Sequence, residues 1–304
     1  MQHGPSFILR LVRRIEIALH FGGWAVQLTR ALGFRQTVKT TRFQVEGVSP
    51  QVGGASLLIG YASDFHAGPT TNPEILKSAC AALRAIKPDV LLLGGDFVNF
   101  APEDVNPLLP ELASISAPLG RFAVLGNHDW LAGSSYIAEQ LQHIGIQVLT
   151  NRNVRLAPPF EHVWICGLDD HWCGQPDASG AFEDADGFRI VLMHAPSGLL
   201  DIGDHQFELA FCGHTHGGQV ALPGGRPLIL PNGALSRRYA RGRYQLASGG
   251  TLVVSVGVGC ALLPVRMNAD PEIIACTLAW PSSSGSFPGE ASSRGEEPLL
   301  RAGD

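Results

Sequence analysis

The sequence predicts an α/β fold, and three observations carry that prediction. Short apolar runs recur between residues 43 and 280, helix-like segments lie between the early ones, and glycine (36) and proline (21) are abundant enough to close many short loops. In chain order the apolar runs are Ser56–Ala62, Val90–Leu93, Phe122–Leu125, Val163–Cys166, Ile190–Met193, Glu208–Cys212, Thr251–Val256 and Ile273–Leu278, each read as a buried strand. The first helix starts at Asn72-Pro73-Glu74, with Asn as cap and Pro in the first turn, and its apolar face runs through Ile75, Ala79, Leu83 and Ile86. Ser134–Ile144 is a second helix candidate and Leu199–Asp204 a short third. The early half therefore reads as βαβ units and the later half as strand-rich.

Composition fixes the limits. Of 304 residues, 45% are hydrophobic and 16% charged, so the chain can bury a large core. A net charge of −5 argues against a general nucleic-acid binder. The charge is unevenly spread: residues 1–43 hold seven Lys/Arg against Glu16 alone, a net +6 that leaves −11 for the remainder. We therefore divide the chain into a basic segment (1–42), a main domain (43–280) and a Ser/Gly/Pro-rich tail (281–304) read as disordered. The cysteines Cys80, Cys166, Cys173, Cys212, Cys260 and Cys276 form no C-x-x-C pair and mostly sit in apolar runs, which reads as buried thiols. The uncharged stretch Ile17–Thr29 is too short to cross a bilayer.

The residues just past each strand carry the chemistry. Ser56–Ala62 runs into Asp64-Phe65-His66, Val90–Leu93 into Gly95-Asp96, and Phe122–Leu125 into Gly126-Asn127-His128-Asp129. Ile190–Met193 runs into His194, and Glu208–Cys212 into Gly213-His214-Thr215-His216. In an open α/β sheet, strand C-termini face the crevice where ligands bind, so these side chains should converge. Carboxylates, imidazoles and one amide carbonyl, with no thiolate, suit borderline divalent ions such as Mn, Fe or Zn. Seven candidate ligands exceed what one catalytic ion uses and fit two ions sharing a carboxylate. Two ions about 4 Å apart can activate a bridging hydroxide for in-line attack on phosphorus.

The ordered set D-x-H, G-D, G-N-H-D, a lone His, then G-H-x-H resembles the calcineurin-like metallophosphoesterases. His214-Thr215-His216-Gly217-Gly218-Gln219, Gly167-Leu168-Asp169-Asp170 and Leu263-Pro264-Val265-Arg266 look closer to the bacterial YkuE/YaeI-type branch. The resemblance implies a four-layer αββα sandwich of two mixed sheets flanked by helices, and a binuclear metal-dependent phosphoesterase without a covalent intermediate. It assigns Asp64, His66 and His216 to one ion, Asn127, His194 and His214 to the other, and Asp96 to both. His128 is not a ligand in this pattern; it faces the substrate to protonate the leaving oxygen or stabilise charge. Phe65-His66-Ala67 and His194-Ala195-Pro196 depart from the usual D-L-H-L-G and His-Asn-Pro but keep the ligands. The implied substrate is a phosphodiester or pyrophosphate, small or lipid-linked. UDP-2,3-diacylglucosamine of lipid A synthesis leads, with nucleotide or phospholipid diesters and phosphomonoesters as alternatives. A membrane-associated metal-binding interaction protein is the non-enzyme alternative.

Several polar residues are read as bystanders. His171 matches no ligand position, and His143, His162 and His205 lie in polar segments. Asp129 is a turn residue that could orient His128, while Asp169, Asp170 and Arg266 are equally compatible with loop structure. Within the head, Phe7, Ile8, Leu11, Val12, Ile15, Ala18 and Leu19 share one helical face and Arg10, Arg13, Arg14, Glu16 and His20 the other, before Gly22-Gly23 breaks the pattern at Trp24. A basic amphipathic helix suits an anionic membrane surface. Because Arg13, Arg14 and Glu16 interrupt any signal-peptide core, residues 1–35 are expected to hold the enzyme peripherally on the cytoplasmic face.

Overall fold

The structure, a computed structural model, describes residues 17–32, 36–47, 55–231, 233–261, 263–280 and 300–301. Its strands in chain order are β1 (Lys39–Glu46), β2 (Ser56–Ala62), β3 (Val90–Leu93), β4 (Arg121–Ala123), β5 (Gln147–Val148), β6 (Arg152–Arg155), β7 (Val163–Gly167), β8 (Phe188–Leu192), β9 (Leu209–Cys212), β10 (Gly242–Gln245), β11 (Thr251–Val254), β12 (Glu272–Ala279) and β13 (Leu300–Arg301). They form two mixed sheets, ordered β1-β12-β2-β3-β4-β5 and β13-β10-β11-β9-β8-β7-β6. Strands β2 to β5 run parallel, as do β7, β8, β9 and β11, and antiparallel pairs join β12 to β2 and β6 to β7.

Period-two alternation assigns each strand's faces. Leu57, Ile59 and Tyr61 of β2, with Leu92 of β3 and Ile274, Cys276 and Leu278 of β12, meet Ile165, Ile190, Leu209 and Phe211 of the other sheet in the central core. Tyr61 stacks on Phe211 at 5.1 Å between ring centres. Alternate residues point outward: Ala62, Leu91 and Leu93 bury against Ala79 and Leu83 of a helix over Pro73–Ile86, and Val191, Ala210 and Cys212 against Phe182, Ile202 and Tyr239. Helix, sheet, sheet, helix: the four-layer expectation holds. Asn72 caps the Pro73–Ile86 helix by accepting from Glu74 N, as its sequence implies.

Some expectations need correction. The boundary at residue 43 falls inside β1, which pairs in parallel with β12 from Lys39 onward. β1, β6 and β10 are absent from the sequence expectation because their faces are partly exposed and they show no continuous apolar run. The second helix starts at Asn127 instead of Ser134 and bends at Gly133, where φ is 148°. The third is a 3-10 segment at Pro196–Leu200. From the tail, Leu300–Arg301 pair with Tyr244–Gln245 on the open edge of β10; its other residues, like the amphipathic face at 7–16, lie outside the described residues.

At the described end of the head the polarity is reversed from expectation. Leu19 is exposed, whereas His20 is buried against Phe100, 6.1 Å between ring centres. After the turn at Phe21–Gly23 a helix over Trp24–Ala31 buries Val26 and leaves Trp24 and Leu28 exposed, with Leu32 exposed just beyond it. Among the described residues, no helix is long and apolar enough to cross a membrane.

Candidate metal centre

The parallel strands deliver their C-termini to one place. Asp64 and His66 come after β2, Asp96 after β3, Asn127 and His128 after β4, His194 after β8, and His214 and His216 after β9. Ring nitrogens and carboxylate oxygens cluster as Asp64/His66/His216, as Asp96/His194/His214 and as His66/Asp96/His128, within 4.8 Å in each set. Asp96 stands between the two groups, with Oδ2 3.5 Å from His66 Nε2 and 3.3 Å from His194 Nε2. Asn127 Oδ1 lies 3.1 Å from His194 Nε2, which is 3.2 Å from His214 Nδ1. All eight residues named from the sequence therefore meet.

The backbone is bent to achieve this. Asp64, His66, Asp96, His214 and His216 all have positive φ, between 42° and 69°. Non-glycine residues rarely adopt that region, and its concentration at one spot marks a functional constraint. Two glycines make room: a Cβ at Gly126 would overlap Asp96 Oδ1, and one at Gly213 would overlap Asp64 Oδ2.

Hydrogen bonds set the rings. A carbonyl can only accept, so His194 Nδ1 donates to Gly94 O (2.8 Å) and turns Nε2 toward Asn127 and His214. Arg266, buried, can only donate: its Nη2 lies 3.0 Å from His216 Nδ1. His216 therefore carries its proton on Nε2, aimed at His66 Nε2 3.0 Å away. Arg266 thus reaches the centre through His216, which decides one role left open by the sequence.

Burial sets the charges. It keeps His66 and His216 well below the ordinary imidazole range and takes His214 down to about 3, so three rings are neutral donors. Burial pushes Asp64 up to about 6 against the pull of His194. His194 itself is held above its usual value: burial opposes this, but Asp96 and Asp64 outweigh it. A buried, negatively charged Asp96 ringed by imidazoles and an amide oxygen, with no thiolate, is a donor set that fits divalent cations.

His128 is oriented by a residue that sequence reasoning misses. Its Nδ1 donates to Asn99 O (3.0 Å), leaving Nε2 as the ring nitrogen open to a substrate, and the ring stands edge-on to His66. Asp129, read as a turn residue that could orient His128, binds loop backbone: Oδ1 accepts from Phe97 N and Val98 N, and Oδ2 from Gly126 N. Asp169 accepts from Trp130 Nε1, and Asp170 from Trp172 N and Cys173 N. His171 pairs with Asp201, apart from the centre, while His162 packs against Trp280.

Residues 57–218 match the family model described as calcineurin-like phosphoesterase. This chain belongs to that family. It is 30% identical over 248 residues to the metallophosphoesterase YkuE of Bacillus subtilis, covering 79% of this chain and 85% of YkuE. It is 32% identical over 227 residues to the phosphodiesterase YaeI of Escherichia coli, covering 72% and 81% of the two chains. A metallophosphoesterase of Aquifex aeolicus is 30% identical over 233 residues, covering 74% and 86%. As a member of the family the protein is a metal-dependent phosphoesterase, and the clustered Asp, Asn and His side chains are its candidate ligands.

Asp129 gives the first test. Asp129→Ala leaves three buried N–H groups without a partner and should lower unfolding stability by roughly 3 kcal/mol or more. Asp129→Asn, which keeps one acceptor oxygen, should lose less. Urea denaturation of both variants checks this, and equal losses would refute the role of the carboxylate.

Proposed function

We propose that the protein hydrolyses phosphodiester or pyrophosphate bonds at a two-ion centre. Asp64, His66 and His216 would hold one divalent ion and Asn127, His194 and His214 the other. The position of Asp96, within 3.5 Å of a ring nitrogen from each group, is the observation that carries this reading. When bound, the ions supply Lewis acidity toward water and the phosphoryl oxygens. The chain supplies the rest. Gly94 and Arg266 hold His194 and His216 in place, and burial keeps the imidazoles of His66, His214 and His216 unprotonated. His128, with Nδ1 committed to Asn99, offers Nε2 to a substrate oxygen, where it delivers a proton or stabilises developing charge.

Diester chemistry is supported by the relative named phosphodiesterase, YaeI. A lipid-linked substrate, with UDP-2,3-diacylglucosamine the leading case, is supported by the exposed Trp24, Leu28 and Leu32 beside a basic head. Residues 1–35 would then hold the enzyme peripherally on the cytoplasmic face of the membrane. A Mn²⁺-supplemented panel of UDP-diacylglucosamine, cyclic nucleotides, glycerophosphodiesters and phosphomonoesters tests the substrate class. Turnover of phosphomonoesters alone would reject the diester reading.

Metal analysis tests the centre. Asp96→Asn should lose occupancy at both positions, whereas His66→Ala should empty mainly one; full metal content in purified Asp96→Asn would remove the shared role. A kinetic test separates chemistry from binding. His128→Ala should keep its metal yet lose turnover by roughly 10²–10⁴-fold, less for substrates whose leaving groups need no proton. Equal losses for good and poor leaving groups would assign His128 to positioning or charge stabilisation. The head has its own assay: removing residues 1–35, which spares β1, should release the protein from anionic vesicles at low salt. If full-length protein already stays in the supernatant, the head packs on protein instead.

A further inference from the structure

Downstream of the G-H-x-H motif, the chain departs from its overall acidity. Residues 209–269 contain six arginines (Arg226, Arg237, Arg238, Arg241, Arg243 and Arg266) and no aspartate or glutamate, in a protein of net charge −5. Only Arg266 among them is buried. The same stretch exposes Leu222, Leu228, Ile229, Leu263 and Met267, with Ile229 at 74% the most exposed large apolar side chain described. Neither property belongs to the chemistry of the centre.

The apolar residues and Arg226 sit on two loops knitted into one flap; Arg237 and Arg238 lie on the short helix that follows (Ala234–Arg238) and Arg243 on β10. Gln219 Nε2 donates to Leu263 O and Val265 O while its Oε1 accepts from Ala261 N. Ala221 N donates to Met267 O, Leu228 N to Val220 O, and Asn268 Nδ2 to Ala221 O. The flap is rooted in the centre at both ends: Gln219 is three residues beyond His216, and Arg266 donates to His216. It also borders the helix over Trp24–Ala31, since Val26 and Thr29 share a cavity wall with Cys260 and Pro264. Helix and flap are therefore neighbours across one cavity.

We propose that this flap is a second membrane-docking element, which seats apolar side chains among lipid tails and arginines among anionic headgroups, with the metal centre opening toward the bilayer. The occupant is argued from charge complementarity. Five arginines outside the core, without a carboxylate across 61 residues, repel most basic surfaces and attract a negative one, and exposed leucine and isoleucine beside arginine suit an interface of headgroups and acyl chains. The inference rests on the membrane reading above but uses a part of the chain that does not depend on the head.

Co-sedimentation of the full-length protein with phosphatidylglycerol-containing and pure phosphatidylcholine vesicles tests it. Leu228→Ser/Ile229→Ser should weaken partitioning onto anionic vesicles by about tenfold or more. Arg226→Glu should weaken it by at least about fivefold on anionic vesicles and leave phosphatidylcholine binding unchanged. Hydrolysis of a soluble aryl phosphodiester should stay at the parent rate in both, which reports that the fold is intact. Parent-like partitioning of both flap variants overturns the proposal, even if Trp24→Ser/Leu28→Ser loses binding; the head reading then stands alone. The reverse pattern, loss in the flap variants and none in the head variant, supports the flap and removes the head. A parent protein that ignores both vesicle types overturns both. Self-association that the flap substitutions abolish, without any vesicle binding, overturns the proposal in favour of a second copy of the chain.

Discussion

Left-handed backbone at five of the seven candidate ligands is the constraint on which the remaining structure depends. Each such residue costs about 1–3 kcal/mol and persists only where its surroundings over-determine it. Those surroundings are visible as hydrogen bonds between loops instead of within them. Asp64 N donates to Gly95 O, His66 N to Asp96 O, Gly213 N to His194 O, and Gly259 N to Asp64 O. Asp129 adds its three N–H partners to the same belt. Every ligand loop is thus tied to a neighbouring loop, and the sheets below fix where those loops begin. The sandwich core is the foundation on which the bent loops are held.

The centre is assembled across both sheets. Asp64, His66, Asp96 and Asn127 leave the first sheet, and His194, His214 and His216 leave the second. Within this arrangement one carboxylate faces four imidazoles, and the geometry is symmetrical about Asp96 only in outline. The His216 side is backed by a buried guanidinium, the His194 side by a backbone carbonyl. A cation behind one ring and a carbonyl behind the other make the two rings unequal donors, so the two halves of the centre differ electrostatically before any ion is considered.

Much of this is legible in the sequence because the chemistry sits at strand ends. The apolar runs Ser56–Ala62 and Val90–Leu93 coincide with β2 and β3 residue for residue, since fully buried strands show as unbroken apolar runs. The ligands emerge from the ordered motifs. What escapes is information that a linear pattern does not carry. Edge strands such as β1 and β6 alternate weakly. Asn99 acts through its carbonyl oxygen, which every residue possesses, so no side-chain signal could announce that role. The reversal at Leu19–His20 comes from tertiary contact: a histidine on the polar helical face finds Phe100, and packing overrides the amphipathic pattern. Five of the cysteines are buried, as their apolar runs predict, and burial pushes Cys80, Cys166 and Cys276 up to about 12, far from the reactive thiolate range.

The place of β12 in the first sheet governs how the protein is made. Glu272–Ala279 lie between β1 and β2, hydrogen-bonded to both, although more than two hundred residues separate β2 from β12. During synthesis β1 and β2 emerge with their facing edges unpaired, and the strand that fills the gap follows more than two hundred residues after β2. The nascent chain must therefore carry two open strand edges while those residues are made, a period in which pairing with a foreign strand competes with waiting for the native one. The first sheet is closed only once β12 is made.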